Sequence, residues 1–159
     1  FLGQYTDNVE IKAQSYLREL GAYKEIKGKN ILRMIGYSAS KVNNIYKLYI
    51  ITEFMARGSL ARVLSQDTFL SYRRRLDIAV DIACGMARIH EKKFIHRDIR
   101  PDNILIDNDY VAKIGDMGIA KEIVDENNTM IGYNPFMPPE YFKGKYDKKL
   151  DIFTFGLTL

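Results

Sequence analysis

Asp98, Asp102, Asn103 and Asp116 place three carboxylates and one amide in a single short stretch of chain. Their oxygens are hard ligands of the kind Mg²⁺ prefers, and a carboxylate near a hydroxyl can accept or orient its proton. Phosphoryl transfer calls for this equipment, because the protein's part in that reaction is to position the groups and offset their charge. The same residue types also crowd ordinary turns, where they cap helices and keep loops soluble. The cluster taken alone leaves both readings open.

The elements around these residues can be read from periodicity. Residues 103–106 and 111–114 are strand-like runs joined by Asp107, Asn108, Asp109 and Tyr110, which predicts a hairpin. Residues 72–90 carry apolar side chains on several sides, including Leu76, Ile78, Val80, Ile82, Met86 and Ile89, which predicts a deeply buried helix. Nearer the start, Val9, Ala13, Tyr16, Leu17, Leu20, Tyr23 and Ile26 step by three and four, and Asp7 with Glu10 has capping-box spacing. An amphipathic helix over residues 8–27 follows. Residues 30–38 and 46–54, rich in branched and aromatic types, read as two antiparallel strands about a polar stretch at 40–44; Arg57, Gly58 and Ser59 then break the run. Residues 119–139 hold no period and contain three prolines, so a long functional loop is expected there.

At 159 residues and 47% hydrophobic, the chain fits one domain with a real core, burying roughly 70% of its unfolded surface. The net charge of +4 is spread over 24 basic and 20 acidic residues that are mixed along the chain, so no nucleic-acid partner is implied. One cysteine, Cys84, excludes an internal disulfide; it is read as packing, in a reducing, cytoplasmic setting. No apolar run reaches the roughly 20 residues a membrane helix needs. Phe1 without a methionine and the apolar end at residues 153–159 suggest a fragment.

In order and spacing, His96, Arg97, Asp98, Ile99, Arg100, Pro101, Asp102 and Asn103 resemble the catalytic loop of eukaryotic protein kinases, and Asp116, Met117, Gly118 is similar to that family's Asp-Phe-Gly segment. Met137, Pro138, Pro139, Glu140 looks like its Ala-Pro-Glu segment, and residues 151–156 look like the start of the next large helix. The resemblance implies an α+β, bilobal protein-kinase-like fold: a truncated small β lobe with its helix and hinge start at residues 1–55, and a mostly helical large lobe, truncated at its C-terminal end, at 56–159. It implies transfer of the ATP γ-phosphate, with Mg²⁺, to a hydroxyl of a protein substrate. Asp98 would be the catalytic carboxylate, Asn103 and Asp116 the metal ligands, and Arg100 a positive charge near the phosphate, where the family often has lysine.

Residues 49–55 resemble the strand and hinge that hold adenine, with Thr52 as gatekeeper and backbone groups of Glu53 and Met55 bonding the base; Leu105 and Asp116 also fall in the nucleotide-binding set. Lys27, Gly28, Lys29, Asn30, Ile31, Leu32 looks like the family's His-Pro-Asn-Ile segment, and that register makes Glu19 the helix glutamate that pairs with a strand lysine. Val9, Glu10, Ile11, Lys12 imitates the strand carrying that lysine, yet Lys12 sits inside the amphipathic helix pattern, so the lysine and glycine-rich loop are expected outside this chain. Tyr23, Met34, His96 and Met117 would stack as an apolar spine. His96 is read as structural, and His90 as packing or surface.

Arg97, next to Asp98, would pair with a phosphate on the activation loop, where the hydroxyl residues are Thr129 and Tyr133. An upstream activating kinase would supply it. Arg100 resembles one subset of tyrosine kinases whereas Pro101 and Asp102 follow the serine/threonine pattern, and the hinge looks closest to the tyrosine-kinase and tyrosine-kinase-like groups. Serine/threonine or dual specificity is the expectation. Two rivals stand beside it: a pseudokinase scaffold, and a small-molecule phosphotransferase such as an aminoglycoside kinase relative. The chain alone is expected to have little or no kinase activity. Arg73, Arg74 and Arg75 are read as a solvated helix start.

Overall fold

The computed structural model describes residues 9–42, 45–66, 69–118, 120–122, 137–144 and 146–159. Helix α1 spans Val9–Glu25, close to the sequence expectation and containing Lys12; the proposed cap at Asp7 lies outside the described residues. Its stripe buries Leu20 and Tyr23, while Leu17 is exposed. The Tyr16 hydroxyl donates to the carbonyls of Ser38 and Tyr49 at 3.3 and 3.2 Å, which ties α1 to the strands that follow.

Strands β1 (Met34–Val42) and β2 (Ile45–Thr52) pair antiparallel, in register from Val42↔Ile45 to Gly36↔Ile51, with a shift between Met34 and Gly36. The first strand therefore begins four residues later than the sequence suggests and takes in most of the stretch read as a turn. The reason lies elsewhere in the chain. Ile31 bridges Ile114, Leu32 N–H donates to the Ile114 carbonyl at 2.9 Å, and the Asn30 side chain donates to the Ala112 carbonyl at 3.0 Å. Residues 30–32 are held by the hairpin that carries the carboxylates, not by β2.

That hairpin is the centre of the molecule. Strands β3 (Gly58–Ser59), β5 (Ile104–Ile106) and β6 (Ala112–Ile114) form a sheet in the order β3-β5-β6. Gly58 and Ser59, expected only to break a strand, pair with Ile106 and Leu105. Successive residues of a strand face opposite ways. Ile104, Ile106, Ala112 and Ile114 are fully buried, so Leu105 and Lys113, paired with each other, face away from that core. Helix α2 (Leu60–Gln66) follows β3 and buries Leu60 and Val63.

Helix α3 (Tyr72–Glu91) is capped by Ser71, whose hydroxyl accepts from Arg74 N–H. It buries Ile78, Ile82, Gly85, Met86 and Ile89. Leu76 and Val80 are exposed, as is Cys84, so the expectation of a helix buried all round, with Cys84 as packing, does not hold. One face packs on β6, closely enough that a Cβ on Gly85 would lie 2.7 Å from the Asn30 carbonyl oxygen. Strands β4 (Phe94–Ile95) and β7 (Lys121–Glu122) pair antiparallel, so the start of the expected loop is ordered as a short ladder. A 3₁₀ turn at Tyr141–Lys143 leads to helix α4 (Lys149–Thr158).

Candidate active site

The loop between β4 and β5 carries His96 to Asn103, and its shape is set from beneath by one buried carboxylate. Asp151 of α4 is fully buried; its Oδ2 accepts from His96 N–H at 2.9 Å and its Oδ1 from Arg97 N–H at 2.8 Å. His90 Nε2 lies 2.7 Å from Oδ2. His90 thus has a specific partner, contrary to its reading as packing or surface. Arg97 holds a left-handed backbone, φ 69°, a conformation that costs a non-glycine residue roughly 1–3 kcal/mol unless its surroundings hold it. The bond from its N–H to Asp151 is such a hold.

Asp98 and Asn103 are brought into direct contact. The Asn103 amide donates to the Asp98 carbonyl at 2.9 Å and to its carboxylate Oδ2 at 2.6 Å. Both partners only accept, so the Asn103 NH₂ must face them and its Oδ1 must face away. Asp98 N–H donates to His96 Nδ1 at 3.2 Å, so the proton on His96 is on Nε2, where the Gly115 carbonyl accepts it at 2.8 Å. Gly115 N–H in turn donates to the Asn103 carbonyl at 2.9 Å. This backbone link delivers Asp116, the next residue, to the same end of the sheet. Asp116 is exposed, holds φ 51°, and accepts from Gly118 N–H through Oδ1 at 3.2 Å.

Arg100 and Asp102 turn to each other: Nε and one terminal nitrogen of Arg100 donate to Asp102 Oδ2 at 2.9 and 2.6 Å. They form a solvent-facing ion pair, and Asp102 stands apart from the Asp98–Asn103 contact. Arg97 is buried, with its guanidinium donating to the Tyr146 hydroxyl at 3.0 Å. Thr129 and Tyr133 lie outside the described residues.

Glu19 reaches the site from α1. Burial, and then the charge of Asp116, push its carboxyl up to about 7. Tyr23, one turn on, is raised for the same first reason, with the charges of Glu19 and Asp116 adding to it. Of the four expected spine residues, Tyr23, His96 and Met117 are buried, and Met34 packs against the core at its edge.

At the end of β2, Thr52 is half-buried and Met55 buried. Glu53 N–H donates to the Arg33 carbonyl at 3.0 Å, so that group is already used. Among the described residues, the Glu53 carbonyl and the Met55 N–H make no hydrogen bond. A carbonyl and an N–H two residues apart match the donor and acceptor on the edge of adenine. Leu105 lies nearby, paired with Ser59. Sequence reasoning missed the Glu53 side chain, which accepts from Arg33 N–H and from Lys113 Nζ, both at 2.7 Å.

A protein kinase domain family model matches residues 4–159. The chain belongs to the protein kinase domain family. Among its relatives are a probable serine/threonine-protein kinase of Dictyostelium discoideum, 34% identical over 89% of this chain and 13% of that protein. Another is LysM domain receptor-like kinase 10 of Oryza sativa subsp. japonica, 34% identical over 92% of this chain and 25% of that protein. A third is dual specificity testis-specific protein kinase 1 of Homo sapiens, 34% identical over 90% of this chain and 24% of that protein. The chain spans a quarter or less of the length of each. The resemblance to protein kinases carried by the catalytic-loop residues is therefore borne out, and the relatives include members of the tyrosine-kinase-like group. Among the described residues no helix of this kinase domain is long and apolar enough to cross a membrane.

Proposed function

We propose that this domain transfers the γ-phosphate of ATP to a hydroxyl of a protein substrate. The observation that carries the reading is the Asn103 amide, which holds both the carbonyl and the carboxylate of Asp98 and must turn its own oxygen outward. In this reading Asp98 orients the substrate hydroxyl and takes its proton. Asn103 Oδ1 and the exposed Asp116 carboxylate are hard oxygen donors, and a site with one carboxylate and one amide suits Mg²⁺, which is usually held by one or two carboxylates together with substrate phosphates. When bound, the ion would draw charge from the phosphate oxygens. The open Glu53 carbonyl and Met55 N–H would receive adenine, with Thr52 and Leu105 beside it. Residues 1–55 would belong to the small lobe and 56–159 to the large one.

Arg100 must leave Asp102 to meet a phosphate, and exposed pairs of this kind are worth only about 0–1 kcal/mol. Glu19, near Asp116 with no described cation beside it, would take a lysine ammonium. Arg97 would receive a phosphate from Thr129 or Tyr133, added by an upstream kinase. A cytoplasmic setting completes the proposal, with serine/threonine or dual specificity, the specificities carried in the names of two relatives.

The test is magnesium-dependent transfer of labelled γ-phosphate to mixed peptide acceptors by the full-length protein. Asp98→Asn should reduce it by about 10²- to 10⁴-fold. Transfer untouched by that substitution would sink the assignment, and nucleotide binding without transfer would point to a scaffold. Mass spectrometry of active protein lacking phosphate at both Thr129 and Tyr133 would remove the proposed switch.

A further inference from the structure

A cationic cavity lies among residues that the phosphoryl-transfer reading does not use. An open cavity of about 320 Å³ is lined by Ala56, Arg57, Arg62, Val63, Gln66 and Tyr110. Three separate elements supply its charge. Arg57 comes from the segment just before β3, Arg62 from α2 and, at its border, Arg74 from the first turn of α3. Tyr110, in the β5–β6 turn with φ 66°, holds its ring between them. The Arg57 guanidinium carbon is 3.7 Å from the ring centroid and that of Arg74 is 4.1 Å from it.

Two cations that share one ring stand within about a Debye length of each other, about 8 Å at physiological ionic strength, so solvent ions screen their repulsion poorly. Stacking on the ring offsets part of that cost. Among the described residues carboxylates do not offset the rest: Arg57 Nε donates to the Asn108 carbonyl at 3.1 Å, Arg62 Nε to the Gln66 amide oxygen at 3.1 Å, and none of the three arginines is ion-paired. The nearby Asp107 is occupied by the N–H groups of Asp109 and Val111, which leaves Asp109 as the acidic neighbour on the turn. By contrast Arg73, on the same turn of α3 as Arg74, pairs with Asp77 in solvent at 3.3 Å, and Arg75 donates to the Leu70 carbonyl. The three adjacent arginines of the sequence therefore part company, and only Arg74 joins the cluster.

We propose that this cavity is a docking site for a phosphorylated segment of a partner protein, with Arg57, Arg62 and Arg74 as the cations that receive the phosphate. Guanidinium forks match phosphate oxygens in pairs, and a phosphoryl group of about −1.5 to −2 charge answers three cations with no described carboxylate partner better than a single carboxylate does. The proposal does not depend on phosphoryl transfer, because it is read out by binding alone.

The experiment is fluorescence anisotropy of a labelled phosphoserine peptide with neutral flanks against the full chain, beside the same peptide unphosphorylated and with aspartate in place of phosphoserine. Arg57→Gln combined with Arg74→Gln should weaken binding about tenfold or more, as expected when charge-assisted bonds to phosphate are lost, while Arg73→Gln should change it less than about twofold. Arg62→Gln, whose guanidinium among the described residues bonds only Gln66, should weaken binding several-fold and decides the matter if the double variant does not fold. Equal binding of the phosphorylated and unphosphorylated peptides would overturn the proposal, as would equal binding of the aspartate peptide or an equal loss in Arg73→Gln.

Discussion

Lys113 Nζ lies 2.7 Å from Glu53 Oε2, and this pair joins the segment after β2 to the outer face of the central hairpin. Both side chains are largely buried, 18% and 16% exposed. Burial alone would raise the Glu53 carboxyl, but the bonds from Lys113 and Arg33 N–H and their positive charges outweigh it and hold Glu53 below its usual range.

Lys113→Met should therefore destabilise the fold by roughly 1–3 kcal/mol, since it leaves a partly buried carboxylate with one donor fewer. A lowered carboxyl contributes stability above its unfolded value, 4.5, that is lost as pH falls through the folded value. Urea titrations at several pH values should show a weaker acid dependence below that point in Lys113→Met than in the parent.

Glu19 behaves in the opposite sense. With its folded value near 7 and its unfolded value at 4.5, the native state binds the proton more tightly, so stability falls as pH rises from about 4.5 to 7. Glu19→Gln should flatten that slope and stabilise the protein at neutral pH by on the order of 1–3 kcal/mol, at roughly 1.4 kcal/mol per pKa unit. Thermal melts across that interval measure it. An unchanged slope would mean that Glu19 is not buried as in this structure.

Gly85→Ala should cost roughly 1–3 kcal/mol, although alanine is the better helix former. Its Cβ would meet the Asn30 carbonyl oxygen at 2.7 Å and Ile114 Cδ1 at 2.9 Å, and the backbone oxygen cannot step aside as a side chain could. Chemical denaturation of the variant would check this, with Gly21→Ala, which meets nothing within 4 Å, as the contrast.

Asp151→Asn should be more damaging, roughly 3–5 kcal/mol, because a buried carboxylate that is hydrogen-bonded through both oxygens loses one of its acceptors. An amide has a single oxygen for the N–H groups of His96 and Arg97, and its NH₂ would face one of these donors. Phosphoryl transfer should fall with stability, since the strained Arg97 adjoins Asp98. A variant as stable as the parent would show that the loop does not depend on this carboxylate.

Helix α1, the hairpin of β5 and β6, and the order of Asp98, Asn103 and Asp116 were legible in the sequence, because periodicity, turn chemistry and motif spacing are local properties. The proximity of Glu19 to Asp116 was not, since the family register named a lysine outside this chain as the partner of Glu19. Other features answer to partners far along the chain. Residues 30–32 left their expected strand for β6. Helix α4 turns Asp151, Thr154 and Thr158 inward and leaves Ile152, Phe153 and Leu157 exposed, against the usual rule of apolar burial. The Thr158 hydroxyl reaches the Ile99 carbonyl, and Asp151 meets His90, His96 and Arg97 across separations of 54 to 61 residues. Sequence alone determined which groups could do chemistry and which short elements carry them; tertiary structure decided which polar groups are buried together, because a buried carboxylate is tolerable only where distant donors converge on it.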